Sequence, residues 1–412
     1  MRDPGRIAAA IDVLDRYALR PQPLSLLIQD WGRRARYAGS KDRAFVRGLC
    51  LDVLRRWRSS GAAEDRRRGM LVTLRDHWGW PMERIEEAFS GEHGPGALTD
   101  EERTAGPTGL LDLPSFLEGL DGAAEVSEAL ASRAPVDLRV NLLKGDRDKA
   151  LKATVTLGAE PAPLSPTGLR IPPAGAAEKG PGVTVIPAYG KGLVEVQDEG
   201  SQLTVLAVGD LRGKQVLDYC AGGGGKTLAL AAEMGNTGQL FAYDSDPQRL
   251  APIHDRVRRA GVRNVQVLPP QEPEKLEALE RSMDLVFVDA PCSGSGTWRR
   301  HPDAKWRLTE EHLQRRQEEQ DQVLREAYRY VKPGGVMVFV TCSFLASENE
   351  ERVAAFLRQN SEFSLEEPLA EAAGELRGKL APFVTGSALR LTPWTSETDG
   401  FTLMRLRRIT QR

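Results

Sequence analysis

Apolar residues recur at helical spacing in the first part of the chain: Ile7, Ile11, Leu14 and Ala18 share one face, and Phe45, Leu49, Val53 and Trp57 share another. Ser40 is the expected N-cap of the second helix. Residues 91 to 109, GEHGPGALTDEERTAGPTG, lose that period and cluster Gly and Pro, which predicts a boundary. Beyond it VDLRVNLL (136 to 143) reads as a strand, a short helix opens near Asp146, and Pro- and Gly-rich turns over 161 to 192 separate further short strands. From about residue 197 short apolar runs alternate with helical stretches: VLDYC (216 to 220), LFAYD (240 to 244), DLVFVD (284 to 289) and VMVFVT (336 to 341). Runs of this kind suit strands buried on both faces of a mostly parallel sheet. A helix from Thr309 should turn Leu313, Val323, Leu324, Ala327 and Val331 inward and stop at Pro333, Gly334 and Gly335. The pattern predicts three domains: helical over 1–107, small α+β over 108–196, and α/β over 197–412.

Composition narrows the chemistry. No apolar run approaches the ~20 residues of a membrane helix and no secretory signal opens the chain, so a cytoplasmic protein without a membrane partner is expected. The four cysteines, Cys50, Cys220, Cys292 and Cys342, lack C-x-x-C spacing, and the five histidines form no i, i+4 pair, so no metal is expected. A net charge of −2 hides an asymmetry: residues 1 to 70 hold 16 Arg and Lys against 8 Asp and Glu. That excess suits either a phosphate-binding face or a solvated helical surface.

The loop Asp218-Tyr219-Cys220-Ala221-Gly222-Gly223-Gly224-Gly225-Lys226-Thr227 leaves the first strand of the alternating region and enters a helix. Its glycines let the backbone approach a ligand where open α/β sheets bind one. A P-loop needs glycine where Cys220 stands, and a dinucleotide G-x-G-x-x-G fails at Thr227. An acidic strand end, a flexible loop and a second acidic strand end at Asp244 remain, a combination suited to S-adenosylmethionine, although a structural turn is the bland alternative.

Cys292, in Asp289-Ala290-Pro291-Cys292, and Cys342, in Thr341-Cys342-Ser343, each follow a strand among small or polar residues. Cys50 lies within a helix and reads as a small buried hydrophobe. A thiolate adding to C6 of a pyrimidine makes C5 nucleophilic enough to accept a methyl group, and elimination then releases the enzyme. An acid near N3 stabilises the charge that develops, and Asp289 is placed to supply it. Arg299, Arg300, His301 and Lys305, interleaved with Trp298 and Trp306, form a mixture of cations and aromatics able to hold phosphates and stack bases.

On VQDEGSQL (196 to 203), DYCAGGGGKT (218 to 227), DAPCSGSGTWRRHPDAKW (289 to 306), TCSFLASENE (341 to 350) and DGF (399 to 401), the chain resembles the RsmB/Sun family of RNA cytosine-C5 methyltransferases. The resemblance implies a Rossmann-like class I methyltransferase domain, with Cys342 as covalent nucleophile and Cys292 resolving the adduct. It also implies S-adenosylmethionine contacts from Cys220, Ala221, Gly222, Gly223, Gly224, Gly225, Lys226, Asp244 and Asp289, with Lys226 orienting Asp289 or the base. KDRAFVRGLCLDVLRRW (41 to 57) is similar to the NusB-like RNA-binding domain of one branch of the family, here shortened. Where the family places an acid toward the adenine, this chain reads VLPPQEP, so no adenine contact is named. The expected substrate is 16S ribosomal RNA, with transfer RNA as the alternative, and one active site per chain points to a monomer. Two other classes compete: an amino-group methyltransferase, which needs no cysteine, and a non-catalytic RNA-binding or ribosome assembly factor on the same scaffold.

Overall fold

The computed structural model of the chain describes residues 1–176, 180 and 182–410. These form two compact units: Met1–Ala134 with Pro173–Gly180 and Trp298–Glu310, and Pro135–Pro172 with Pro181–Thr297 and Glu311–Arg412. The units do not break at the sequence boundaries 107/108 and 196/197, because the helical unit runs on to Ala134 and a segment from the far half of the chain joins it.

The first unit is built on the helices Asp3–Leu19, Leu24–Arg34 and Ser40–Arg55. Ile7, Leu14, Leu49 and Val53 are fully buried in one cluster with Phe45 and Trp57, as their spacing requires. Two details differ from expectation. Tyr17 rather than Ala18 completes the inner face of the first helix. The third helix is capped by Gly39, whose N–H donates to Asp42, and Ser40 is already its first turn. Cys50 is completely buried beside the Ala10 carbonyl, and burial pushes its thiol up.

Trp298–Glu310 is a peg of this helical unit. Tyr17 Oη donates to the Asp303 carbonyl at 2.7 Å, Trp306 Nε1 to Leu54 O at 2.6 Å, and Arg55 Nη2 to Arg299 O at 2.8 Å. Trp298 is 1 % exposed, and Trp306 packs against the helical core.

The second unit holds two sheets. In the smaller, β1 (Val136–Val140), β2 (Glu160–Pro161), β3 (Gly168–Ile171) and β4 (Val194–Val196) run antiparallel in the order β2-β3-β1-β4. The larger, nine-stranded among the described residues, contains β5 (Gln215–Asp218), β6 (Gln239–Tyr243), β7 (Val265–Leu268), β8 (Met283–Asp289), β9 (Val331–Thr341), β10 (Phe363–Glu366), β11 (Val384–Thr385), β12 (Ala388–Leu391) and β13 (Phe401–Arg408). Its order is β11-β12-β13-β9-β8-β5-β6-β7, with β10 also on β13. β5 to β9 are mutually parallel, and β10 to β13 add antiparallel strands at one side.

Alternation along β8 and β9 explains why these strands read as unbroken apolar runs. Leu285, Phe287, Val336, Val338 and Val340 enter one cluster, whereas Val286, Val288, Met337 and Phe339 enter another. Successive side chains point to opposite faces, and both faces are covered. The helix before β9 ends at Ala327, earlier than the sequence suggested, and Val331 begins the strand. β5 pairs with β6 on one side and β8 on the other, so the crossovers diverge there and open a crevice at the strand carboxyl ends. No helix among the described residues is long and apolar enough to cross a membrane.

Candidate active site

At the end of β5 the side chain of Asp218 is fully buried. Thr227 Oγ1 donates to its Oδ2 at 2.6 Å, while Oδ1 has no hydrogen-bond partner among the described residues. Burial, reinforced by the charges of Asp289 and Asp244, pushes its pKa up to about 7.

The loop that follows is shaped by its glycines at two points. Gly222 takes a positive φ of 49° while its N–H donates to Asp244 Oδ2 at 2.9 Å. Gly224 has φ 83°, and a Cβ there would stand 2.5 Å from Ile253 Cγ1. Ala221 N–H donates to the Tyr243 carbonyl at 2.9 Å, and Arg256 Nη1 donates to the Gly223 carbonyl at 2.7 Å. Asp244 is 2 % exposed and also accepts the Asp246 N–H. The Cys220 thiol is pushed well up by burial and by the acids Asp244, Asp289 and Asp218.

The helix Gly225–Glu233 brings Lys226 back across the crevice. Its ammonium donates to Asp289 Oδ2 at 2.7 Å and lies 4.9 Å from the Phe401 ring centre. This joins the glycine loop to the end of β8.

Cys292 and Cys342, three residues past β8 and one past β9, bring their sulfurs to 3.3 Å. Both are half-buried free thiols. The Cys342 sulfur it faces, together with burial, pushes the Cys292 thiol well up. The surrounding loops are tightly crossed. Gly296 N–H donates to Cys342 O at 3.0 Å, Gly400 N–H donates to Gly296 O at 2.8 Å, and Ser295 Oγ lies 3.0 Å from Ser343 Oγ. A Cβ on Gly296 would fall 2.2 Å from the Gly400 carbonyl oxygen, which explains a glycine there.

Four residues expected to touch nucleic acid do not have that freedom. Lys305 is fully buried, with its ammonium on Arg55 O at 3.2 Å, and burial lowers its pKa to about 7. The Arg299 side chain is 5 % exposed, Trp298 is enclosed, and Trp306 is fixed on Leu54. These side chains hold the peg inside the helical unit instead of facing solvent. Arg300 is half-buried and His301 exposed.

Glu348, which no motif singled out, is fully buried and accepts from Ser293 N–H at 2.7 Å and Ser293 Oγ at 2.5 Å. It lies within TCSFLASENE, but a carboxylate at the start of a helix reads as an ordinary surface acid. The unpartnered Asp218 oxygen carried no sequence signal beyond its acidic strand end.

Residues 205–407 match the family described as 16S rRNA methyltransferase RsmB/F. Ribosomal RNA small subunit methyltransferase B of Photorhabdus laumondii is 35% identical over 236 residues, covering 57% of this chain and 53% of that protein. The Citrobacter koseri protein of the same name is 32% identical over 291 residues, covering 69% and 64%. The chain thus spans little more than half the length of several curated relatives. Among solved structures, a methyltransferase homolog from Pyrococcus horikoshii is 27% identical with a TM-score of 0.56, covering 70% of this chain and 91% of that one. PH0851 superposes on 98% of this chain and 99% of its own with a TM-score of 0.73 at 24% identity, a likeness of fold. The alternating sheet, the glycine loop and the paired cysteines all lie in the segment, residues 205–407, that matches the family described as 16S rRNA methyltransferase RsmB/F.

Proposed function

We propose that the protein transfers the methyl group of S-adenosylmethionine to carbon 5 of a cytosine in RNA, with 16S ribosomal RNA as the substrate and transfer RNA as the alternative. The observation that carries this reading is the pair of thiols at 3.3 Å beside the Lys226–Asp289 contact. An amino-group methyltransferase has no use for that pair.

The residues present fit the methyl donor. Asp218 offers a buried carboxyl oxygen with no hydrogen-bond partner among the described residues, Asp244 is a carboxylate fixed at the neighbouring strand end, and space is open at Gly222 and Gly223, where an added Cβ meets no atom closer than 3.4 Å. The segment Cys220 to Lys226, with Asp244 and Asp289, is the set we assign to it. When bound, it supplies an electrophilic methyl on a sulfonium.

The protein's own groups do the rest. Cys342 adds as a thiolate to C6 of the base, moving an electron pair toward C5 and N3. Asp289, held by the Lys226 ammonium at 2.7 Å, is the acid we assign to N3, where charge develops as C6 is attacked. After C5 has accepted the methyl group, its proton is removed and the thiolate leaves C6, a release in which Cys292 acts. Reaching both sulfurs requires an unstacked base, so a loop or partly folded RNA is the form of substrate. Arg300 is the cation we retain for phosphate contact, with His301, whose pKa desolvation holds below the ordinary value, as a neutral ring next to it in the chain, and a NusB-like role for the helical unit belongs to the same proposal.

The test is transfer of labelled methyl from S-adenosylmethionine to unmodified 16S ribosomal and transfer RNA, followed by nucleoside analysis. Labelled 5-methylcytidine is expected. Label on an exocyclic nitrogen would overturn the cysteine chemistry, and RNA binding without transfer would favour an assembly factor.

A further inference from the structure

Four glycines in a row, residues 222–225, have more backbone freedom than any other run of that length, so this loop meets a ligand in one shape only if it is held from outside. The peptide between Gly223 and Gly224 is held at both ends. Its N–H donates to the Ala221 carbonyl at 2.9 Å, and its carbonyl accepts Arg256 Nη1 at 2.7 Å. Arg256 lies on the helix Ile253–Ala260, and its Nη2 donates to Glu195 Oε2 at 3.2 Å. Glu195 belongs to β4 of the smaller sheet, is 2 % exposed, and also accepts Arg259 of the same helix.

The smaller sheet fixes that helix at its far end as well. Asn141, one residue past β1, donates through Nδ2 to the Ala260 carbonyl at 2.8 Å, and a Cβ on Gly192 would stand 2.2 Å from the Arg259 carbonyl oxygen. Of the arginines beside Glu195, Arg256 reaches the loop. Arg259 turns to the Tyr189 ring at 4.2 Å, and Arg139, opposite Glu195 in the register of β1 on β4, donates to Gln197 Oε1 at 2.6 Å. All of these residues belong to the second unit.

We propose that Glu195 is a positioning residue for S-adenosylmethionine: from the smaller sheet it holds Arg256, and Arg256 holds the Gly223 carbonyl, so that the glycine loop meets the methyl donor already shaped. A loop ordered before binding spares the ligand the cost of ordering it, which appears as affinity for the donor. The smaller sheet, which supplies none of the groups assigned to the donor, thereby sets how tightly the donor is bound. The inference rests on the reading that residues 220–226 hold the donor, and not on which base receives the methyl group.

The experiment is calorimetric titration of the full-length protein with S-adenosylmethionine, on variants whose melting curves show a folded chain. Arg256→Ala should weaken binding about tenfold, as expected for the loss of a charge-assisted hydrogen bond, and Glu195→Gln should weaken it several-fold. The double variant separates positioning from general loss of structure. Once Arg256 is alanine, Glu195→Gln should cost no further affinity, while the melting temperature should still fall because Glu195 also holds Arg259. Equal weakening by Glu195→Gln in both backgrounds, or unchanged affinity in folded Arg256→Ala, overturns the proposal. Should Glu195→Gln fail to fold, Arg259→Met breaks the other arm of Glu195 and should lower the melting temperature while changing affinity by less than about twofold. A loss equal to that of Arg256→Ala would mark sheet packing as the cause and overturn the proposal. Asp244→Asn separates the inference from the reading beneath it. Weakened binding there beside full affinity in Arg256→Ala overturns the positioning role alone, whereas full affinity in both removes the donor from the glycine loop. A protein that gives the expected affinities yet methylates no cytosine would overturn the proposed function and leave the positioning role standing.

Discussion

Cys292 and Cys342 come from the ends of adjacent parallel strands, fifty residues apart in sequence, and their sulfurs face each other at 3.3 Å. Contact at this range is set by the register of β8 on β9, in which Asp289 pairs with Val340. One strand end supplies both Asp289 and Cys292, and its neighbour supplies Cys342.

Such proximity predicts that a thiol oxidant joins the two. Treatment with diamide should remove two hydrogens, link the peptides carrying Cys292 and Cys342, and abolish methyl transfer until a reducing thiol is added. Peptide mapping checks the link; a bridge involving Cys220 instead would contradict the geometry.

The Lys226–Asp289 contact predicts a second outcome. Asp289→Asn leaves the shape of the site but removes the acid at N3, and kcat should fall by about 10²–10⁴. Single-turnover transfer measures this directly, and a loss of less than twofold would remove Asp289 from the chemistry.

Asp218 predicts a pH dependence of stability. Its folded pKa of about 7 lies above the ordinary value of 3.8. Between these values the folded state binds the proton more tightly than the unfolded state, so its contribution is fully present below about pH 4 and is lost as pH rises through about 7. Asp218→Asn should flatten thermal-melt midpoints across that window. An unaltered slope would show that the carboxyl does not titrate there.

Lys305 gives the opposite sign. Its folded pKa of about 7 lies below the ordinary 10.5, so the unfolded chain holds more protons in between and stability rises with pH through that window. Lys305→Met should raise the melting temperature at neutral pH, remove that slope and leave RNA affinity unchanged. Arg300→Ala should weaken RNA binding and lower its salt slope by about one. Filter binding across a salt series separates the two; a Lys305 variant that loses affinity while remaining folded would restore it to the interface.

The contrast between these residues shows where the sequence was legible. β5, β6, β8 and β9 could be read because their apolar runs serve two covered faces, and the cysteine motifs could be placed because they follow those runs. The peg Trp298–Glu310 could not be read the same way. Cations alternating with tryptophans look alike in an exposed RNA-binding loop and in a buried segment, and only the partners Tyr17, Leu54 and Arg55 distinguish the two. β13 was visible only through its DGF start, because Arg405, Arg407 and Arg408 break the apolar pattern. In the fold Arg405 is buried, and Arg405 and Arg407 share Glu366 and Glu371. Long-range ion pairs of that kind leave no local signature.

The most direct test of the covalent mechanism incubates wild type, Cys292→Ala and Cys342→Ala with RNA and S-adenosylmethionine and resolves the products on denaturing gels. The account predicts a protein–RNA adduct that accumulates with Cys292→Ala and is absent with Cys342→Ala. Equal crosslinking by both variants, or an adduct only with Cys342→Ala, would contradict it.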